Sequence, residues 1–273
     1  LATINGFSDV ILSTANISVT DTASLSDATT LNDFTDGLVT LNVVEDTVSN
    51  IKSIDGIDSK YVSMADAAIT VTDPASLADA NAINSFTKGQ VTLNSVQDGY
   101  DNLVAIINTS NSEIDMSNAV VRVTDIVDFV KVNQLIANTS KLVTVDNISD
   151  KKALLAVINI TPNANIESAE ITVTDDVNRS EVETINTYNT TGNVTITSIT
   201  DSFSNISNVQ GTAGISIGTA LITATDAVTL ADANSLNGFT NAQVTLNVVQ
   251  DTVSNITSID GLTTSDVSMA AAA

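Results

Sequence analysis

Short bursts of alternating apolar and polar residues run along the chain, each followed by an apolar stripe of spacing three. In ITVTD (69–73), Ile69 and Val71 face one way and Thr70 and Thr72 the other, which predicts a strand with one buried face. Leu77, Ala80, Ile83 and Phe86 then predict a short helix. Asp73-Pro74 reads as its start, because Asp favours the N-cap and Pro the first helical position. Lys88-Gly89 reads as its end, with Gly taking a left-handed conformation. The segment from Val91 repeats the plan: Val91 and Leu93 inward, Asp98 as cap, then a stripe of Tyr100, Leu103 and Ile106. That spacing fits an α-helix or a 3₁₀ turn equally.

These two arms recur as a pair. Ile17, Ile69, Val121, Ile171 and Ile222 open the first arms at intervals of 52, 52, 50 and 51, and Val39, Val91, Val143, Val194 and Val244 open the second. A fixed period of about 51 residues means a stacked array in which each unit buries its apolar face against its neighbours. The expected fold is an α/β solenoid resembling leucine-rich repeats: parallel strands on one face, short helices or 3₁₀ turns on the other. A β-helix is the alternative. Residues 1–273 read as a single array with a partial copy at 1–16 and copies starting at 17, 69, 121, 171 and 222, cut from a longer chain.

Composition narrows the chemistry. The net charge is −23, from 32 acidic and 9 basic residues, which argues against nucleic acid as a partner. With neither His nor Cys there is no imidazole base, no thiolate and no disulfide, so an enzyme is not expected. No apolar run approaches the length needed to cross a bilayer, so membrane insertion is not expected either. Calcium is the one cofactor this acidity invites, at carboxylates the sequence does not locate.

Three sets of residues stand out as site candidates. Asp21, Asp46, Asp73, Asp98, Asp125, Asp150, Asp175, Asp201, Asp226 and Asp251 close the strands, and read as helix caps in preference to a calcium ladder. Asn50, Asn102, Asn205 and Asn255 follow the second-arm Asp by four residues and read as a buried hydrogen-bond ladder between coils. Thr70, Thr72 and Thr92 lie on the outward strand face. With Arg122 and Lys131 of the more basic third copy they form a candidate contact face for a glycan, a partner protein or ice.

The repeated ITVTD-x-A-x-L-x-D-A and VTLNSVQD-x-x-x-N-L segments resemble repeats of very large secreted surface or adhesin-type proteins of cyanobacteria and proteobacteria. The resemblance covers nearly the whole chain and implies an extracellular structural or adhesive role. The third copy, IVDFVKVNQLIANTSK (126–141), departs from the pattern, and the fourth has Arg179 where Leu is expected. The expectation is an acidic, rigid segment of a surface layer, filament or adhesin that self-associates through calcium bridges.

Overall fold

Period-two alternation folds as strand and spacing of three as α-helix in every copy. The computed structural model describes residues 13–57, 61–109, 113–260, 262 and 267–269; most of the partial copy at 1–16 lies outside them. First arms form strands β1 (Ile17–Ala23), β4 (Ala68–Ala75), β7 (Val120–Val127), β10 (Glu170–Val177) and β13 (Leu221–Val228). Second arms form β2 (Val39–Asp46), β5 (Val91–Asp98), β8 (Val143–Asp150), β11 (Val194–Asp201) and β14 (Val244–Val249). A two-residue strand ends each second arm: β3 (Val62–Ser63), β6 (Ile114–Asp115), β9 (Ala164–Asn165), β12 (Ile215–Ser216) and β15 (Val267–Ser268). The first-arm helices are α1 (Leu25–Phe34), α3 (Leu77–Asn84), α5 (Phe129–Ile136), α7 (Arg179–Asn186) and α9 (Leu230–Phe239). Those of the second arms are α2 (Val48–Gly56), α4 (Tyr100–Thr109), α6 (Lys152–Asn159), α8 (Phe203–Gln210) and α10 (Val253–Asp260). Helices of eight to ten residues replace the 3₁₀ and β-helix alternatives.

The described chain divides into two compact units, Leu1–Thr124 with Gln134–Val143 and Asp125–Asn133 with Thr144–Ala273. In the first, the sheet order is β1-β2-β4-β5-β7, with β3 beside β2 and β6 beside β5. In the second it is β8-β10-β11-β13-β14-β15, with β9 beside β8 and β12 beside β11. Each is an open α/β solenoid with parallel strands. Inward residues such as Val39, Leu41, Val91, Leu93, Val194 and Ile196 are at most 1% exposed, and Ala80, Ile83, Leu103 and Ile106 from the helices are fully buried. Each such Leu or Ile contributes about 1.5–3 kcal/mol of transfer free energy.

The coils do not stack in plain register. Ile17 pairs with Val39 and Val39 with Val62, but Ile69, the equivalent of Ile17, lies level with Val44 and Ala23. Each repeat therefore starts five residues further along the second-arm strand, from Val39 to Val44, which is six along the bulged β1. The two-residue strand fills the old level, a turn closed by Ala67 N–H to the Met64 carbonyl (2.9 Å) follows, and the next strand begins at the new level. The same step occurs at Ala119 with Met116, Ala169 with Ile166 and Ala220 with Ile217.

The expected helix start at Asp73-Pro74 is corrected. Both residues lie inside β4, where the register against β5 shifts between Val71 and Pro74. Proline lacks a donor, and a bulge is where a strand tolerates that loss. The N-cap of α3 is Ser76, paired with Asp79 in a capping box, and Ser24 with Asp27, Asn178 with Glu181 and Thr229 with Asp232 repeat it. We expect Ser76→Ala to cost about 1 kcal/mol, read as a lower urea midpoint, and Pro74→Ala to cost less. The larger loss falling on Pro74→Ala would restore proline as the helix start. The Gly89 expectation is corrected as well: α3 ends at Asn84 with a right-handed Ser85 cap, and among the described glycines only Gly214 has positive φ. Gly89 is needed for another reason. A Cβ there would stand 2.2 Å from the Ala67 carbonyl oxygen.

Candidate functional site

The strand-end aspartates form the most regular polar feature of both units, and the structure reassigns what they cap. A helix leaves its first N–H groups without intrahelical partners. Here the N-cap side chain takes one of them: Asn50 N–H donates to Thr47 Oγ1, Asp79 N–H to Ser76 Oγ and Asn205 N–H to Ser202 Oγ. The N–H of the first helical residue goes instead to an Asp one coil further on. Leu25 donates to Asp46 Oδ2, Leu77 to Asp98, Phe129 to Asp150, Arg179 to Asp201 and Leu230 to Asp251, at 2.8–3.0 Å. Val48 donates to Asp73 Oδ1, Lys152 to Asp175 and Phe203 to Asp226, at 2.7–2.8 Å. Capping is therefore right as chemistry and wrong as to which helix: each of these carboxylates holds the helix of the preceding coil. Asp21 and Asp125 occupy the equivalent places in β1 and β7.

The asparagine expectation is corrected: the four are half-buried or exposed, and their shared bond lies within one coil. Among the described residues only Asn205 also accepts from the preceding coil, from Arg179 Nη1 at 3.5 Å. Asn50 Nδ2 donates to Asp46 Oδ1 at 2.7 Å, and Asn102, Asn205 and Asn255 serve Asp98, Asp201 and Asp251 in the same way at 2.8–2.9 Å. The same Oδ1 accepts the next backbone N–H, from Thr47, Gly99, Ser202 or Thr252. Three donors thus converge on each of these carboxylates. At Asp46, Asp98 and Asp201 partial burial disfavours the charge, but the N–H donors outweigh it and hold the carboxyl below the usual range. At Asp251 the Leu230, Thr252 and Asn255 donors lower it in the same direction. Among the described residues no cluster of three or more Asp or Glu could hold a metal ion.

A second recurring element has no counterpart in the sequence reading. Thr35, Thr87, Thr139, Asn189 and Thr240 are buried polar residues, one per first arm. The Thr hydroxyls donate to the carbonyls of Ala15, Ala67, Ala119 and Ala220 at 2.5–2.7 Å, and the Asn189 amide donates to that of Ala169. Each side-chain oxygen also accepts a backbone N–H shortly after it, from Gly37, Gly89, Lys141, Gly192 or Ala242. The alanines are the step turns between levels, so this clamp locks the loop after each first-arm helix onto the step before it. The available signal was a Thr or Asn after the helical stripe with an Ala twenty residues earlier, extended to T-x-G only in the first and second copies.

The contact-face residues are only partly brought together. Thr70 pairs with Thr92, but Glu45 and Asp115 flank them, so the row is four strands deep. Thr72 falls in the β4 bulge, out of register with any β5 residue. Arg122 lies beside Gln97 on β7, whereas Lys131 is on helix α5 and not on the strand face. Several cations bind their own chain: Lys52 meets Asp79 (2.5 Å), Lys152 meets Glu181 (2.8 Å) and Arg179 Nε meets Glu183 (2.6 Å). Among the described residues no helix is long and apolar enough to cross a membrane. Comparison with known protein families, with curated proteins and with solved structures found no match to this chain.

Proposed function

We propose that this chain is an extracellular structural segment of a bacterial surface layer, filament or adhesin. The observation that supports this reading is the commitment of its recurrent polar residues to joining coils: strand-end Asp to the preceding helix, buried Thr to the preceding step. Side chains used in this way hold a shape and offer no reacting group. The surface setting follows from the resemblance of the repeats to secreted surface proteins and from the charge of −23. Self-association through calcium would draw on exposed carboxylates outside the Asp row, such as Glu45 and Glu113, because the row already accepts N–H donors.

Electron microscopy of the purified chain with and without millimolar calcium tests this reading. Ordered sheets or filaments that dissolve on chelation are the expected result. Separate particles of constant size in both conditions would remove the calcium-bridged polymer and leave a spacer.

A further inference from the structure

The first-arm helices end on a fixed pair two residues apart: Asn32 and Phe34, Asn84 and Phe86, Asn186 and Tyr188, Asn237 and Phe239. The third copy inverts it to Ile136 and Asn138. In the second copy Phe86 closes a small cleft with Ile54, Val62 and Met64, of about 120 Å³. The equivalent cleft of the third copy, with Ile107, Ile114, Met116 and Asn138, holds about 330 Å³. Replacing a phenyl ring by a short amide opens the space and makes part of its wall polar.

The walls of the larger cleft are chemically mixed. Ile114 and Met116 are buried, 1% and 3% exposed, and give an apolar floor. Asp115 Oδ1 accepts the Ser117 N–H at 2.9 Å, and its second oxygen has no partner among the described residues. Asn138 Nδ2 gives one hydrogen to the Gln134 carbonyl (2.7 Å), which leaves its other hydrogen and Oδ1 for a ligand. Gln90 adds a second amide and Ser117 a hydroxyl at the rim.

We propose that this cleft binds one ring of a neutral hydroxylated ligand, a monosaccharide unit. The apolar floor suits the C–H face of such a ring, while carboxylate, amide and hydroxyl groups match its alternating donors and acceptors. No Lys or Arg lines the cleft, so an anion would meet Asp115 uncompensated. An alkylammonium would satisfy Asp115 but leave both amides without partners. The volume sits at the lower end for small-molecule sites, which suits one ring and not a chain of several. This site is independent of the structural role, and the failure of either leaves the other standing.

The test is titration of the ¹⁵N-labelled chain with glucose, galactose, mannose and N-acetylglucosamine, followed by amide shifts, with n-butylammonium as a separate probe. Saturable shifts at Ile107, Ile114–Ser117 and Asn138 with at least one sugar are expected at millimolar concentration. Asn138→Phe restores the aromatic character of the other copies and should abolish the response. Asp115→Ser, which places there the residue found at Ser63, Ser216 and Ser268, should weaken binding about tenfold. No saturable shift with any sugar, shifts that persist unchanged in Asn138→Phe, or a response to butylammonium alone would each overturn the proposal.

Discussion

Thr87→Val should destabilise the first unit by about 2–3 kcal/mol, although it changes no volume worth measuring. Thr87 is 8% exposed; its hydroxyl donates to the Ala67 carbonyl at 2.6 Å and accepts the Gly89 N–H at 2.8 Å. Valine has the same shape and neither capacity, so a buried acceptor and a half-buried donor lose their partner together. Leaving one such group unsatisfied costs about 1–3 kcal/mol. The Gly89 backbone cannot turn elsewhere, because it lies so close to Ala67 that even a methyl group would collide. Thr87→Ser keeps the hydroxyl and loses one methyl, about 0.8 kcal/mol of burial. Urea midpoints of the two variants decide the matter: Val far below Ser is expected. Equal losses would mean that packing, and not the hydrogen bond, makes Thr87 matter.

The same substitution at Thr35, Thr139 and Thr240 should follow the same order, since the clamp recurs at each. Copies three and five bound the role of the glycine. Lys141 and Ala242 stand where Gly37 and Gly89 do, so their loops already make room for a Cβ. Gly89→Ala therefore requires a shift that those copies have made, whereas Thr87→Val removes something that no copy has dispensed with.

What could be read from the sequence was what repeats with period two or three. Strand faces such as Ile69 and Val71, and helix interiors such as Ala80 and Ile83, follow directly from burial, and burial leaves a pattern in one dimension. The polar bonds were legible only as residue types. Asp98 reads as a cap, but the helix it caps begins at Leu77. Propensity describes a residue's neighbours along the chain, and this contact closes over twenty-one residues. Pro74 misled for a related reason: the helix-start signal of Asp-Pro competes with bulge chemistry, and the Ser76–Asp79 box two residues later wins. The step between levels was hidden because the two-residue strands Val62–Ser63 and Ile114–Asp115 are too short to show any period. The extent of the Thr70–Thr92 row was hidden with it, since a stagger every repeat ends that row after four strands.

The committed carboxylates also make the protein acid-labile, and two opposing effects set where. Asp27, Asp46, Asp79, Asp98, Glu181, Asp201 and Asp251 are all held below their ordinary range in the folded state. A group whose pKa is depressed by folding adds stability above its unfolded pKa and loses it as pH falls through its folded one. With unfolded values of about 3.9 for Asp and 4.3 for Glu, the loss begins near pH 4 and deepens below it. Against this, the net charge of −23 repels itself, and partial protonation between neutral pH and that point relieves the strain. Thermal midpoints should therefore hold or rise slightly from pH 7 towards about 4.5 and then fall steeply. Salt should flatten the upper limb, where exposed charges dominate, more than the lower, where the lost interactions are short hydrogen bonds. Asp98→Asn isolates the carboxylate contribution: it lowers the midpoint at neutral pH and makes the fall below pH 4 shallower. A midpoint that keeps rising below pH 4 would show that charge repulsion outweighs the inter-coil caps, and that the Asp row contributes little to holding the coils together.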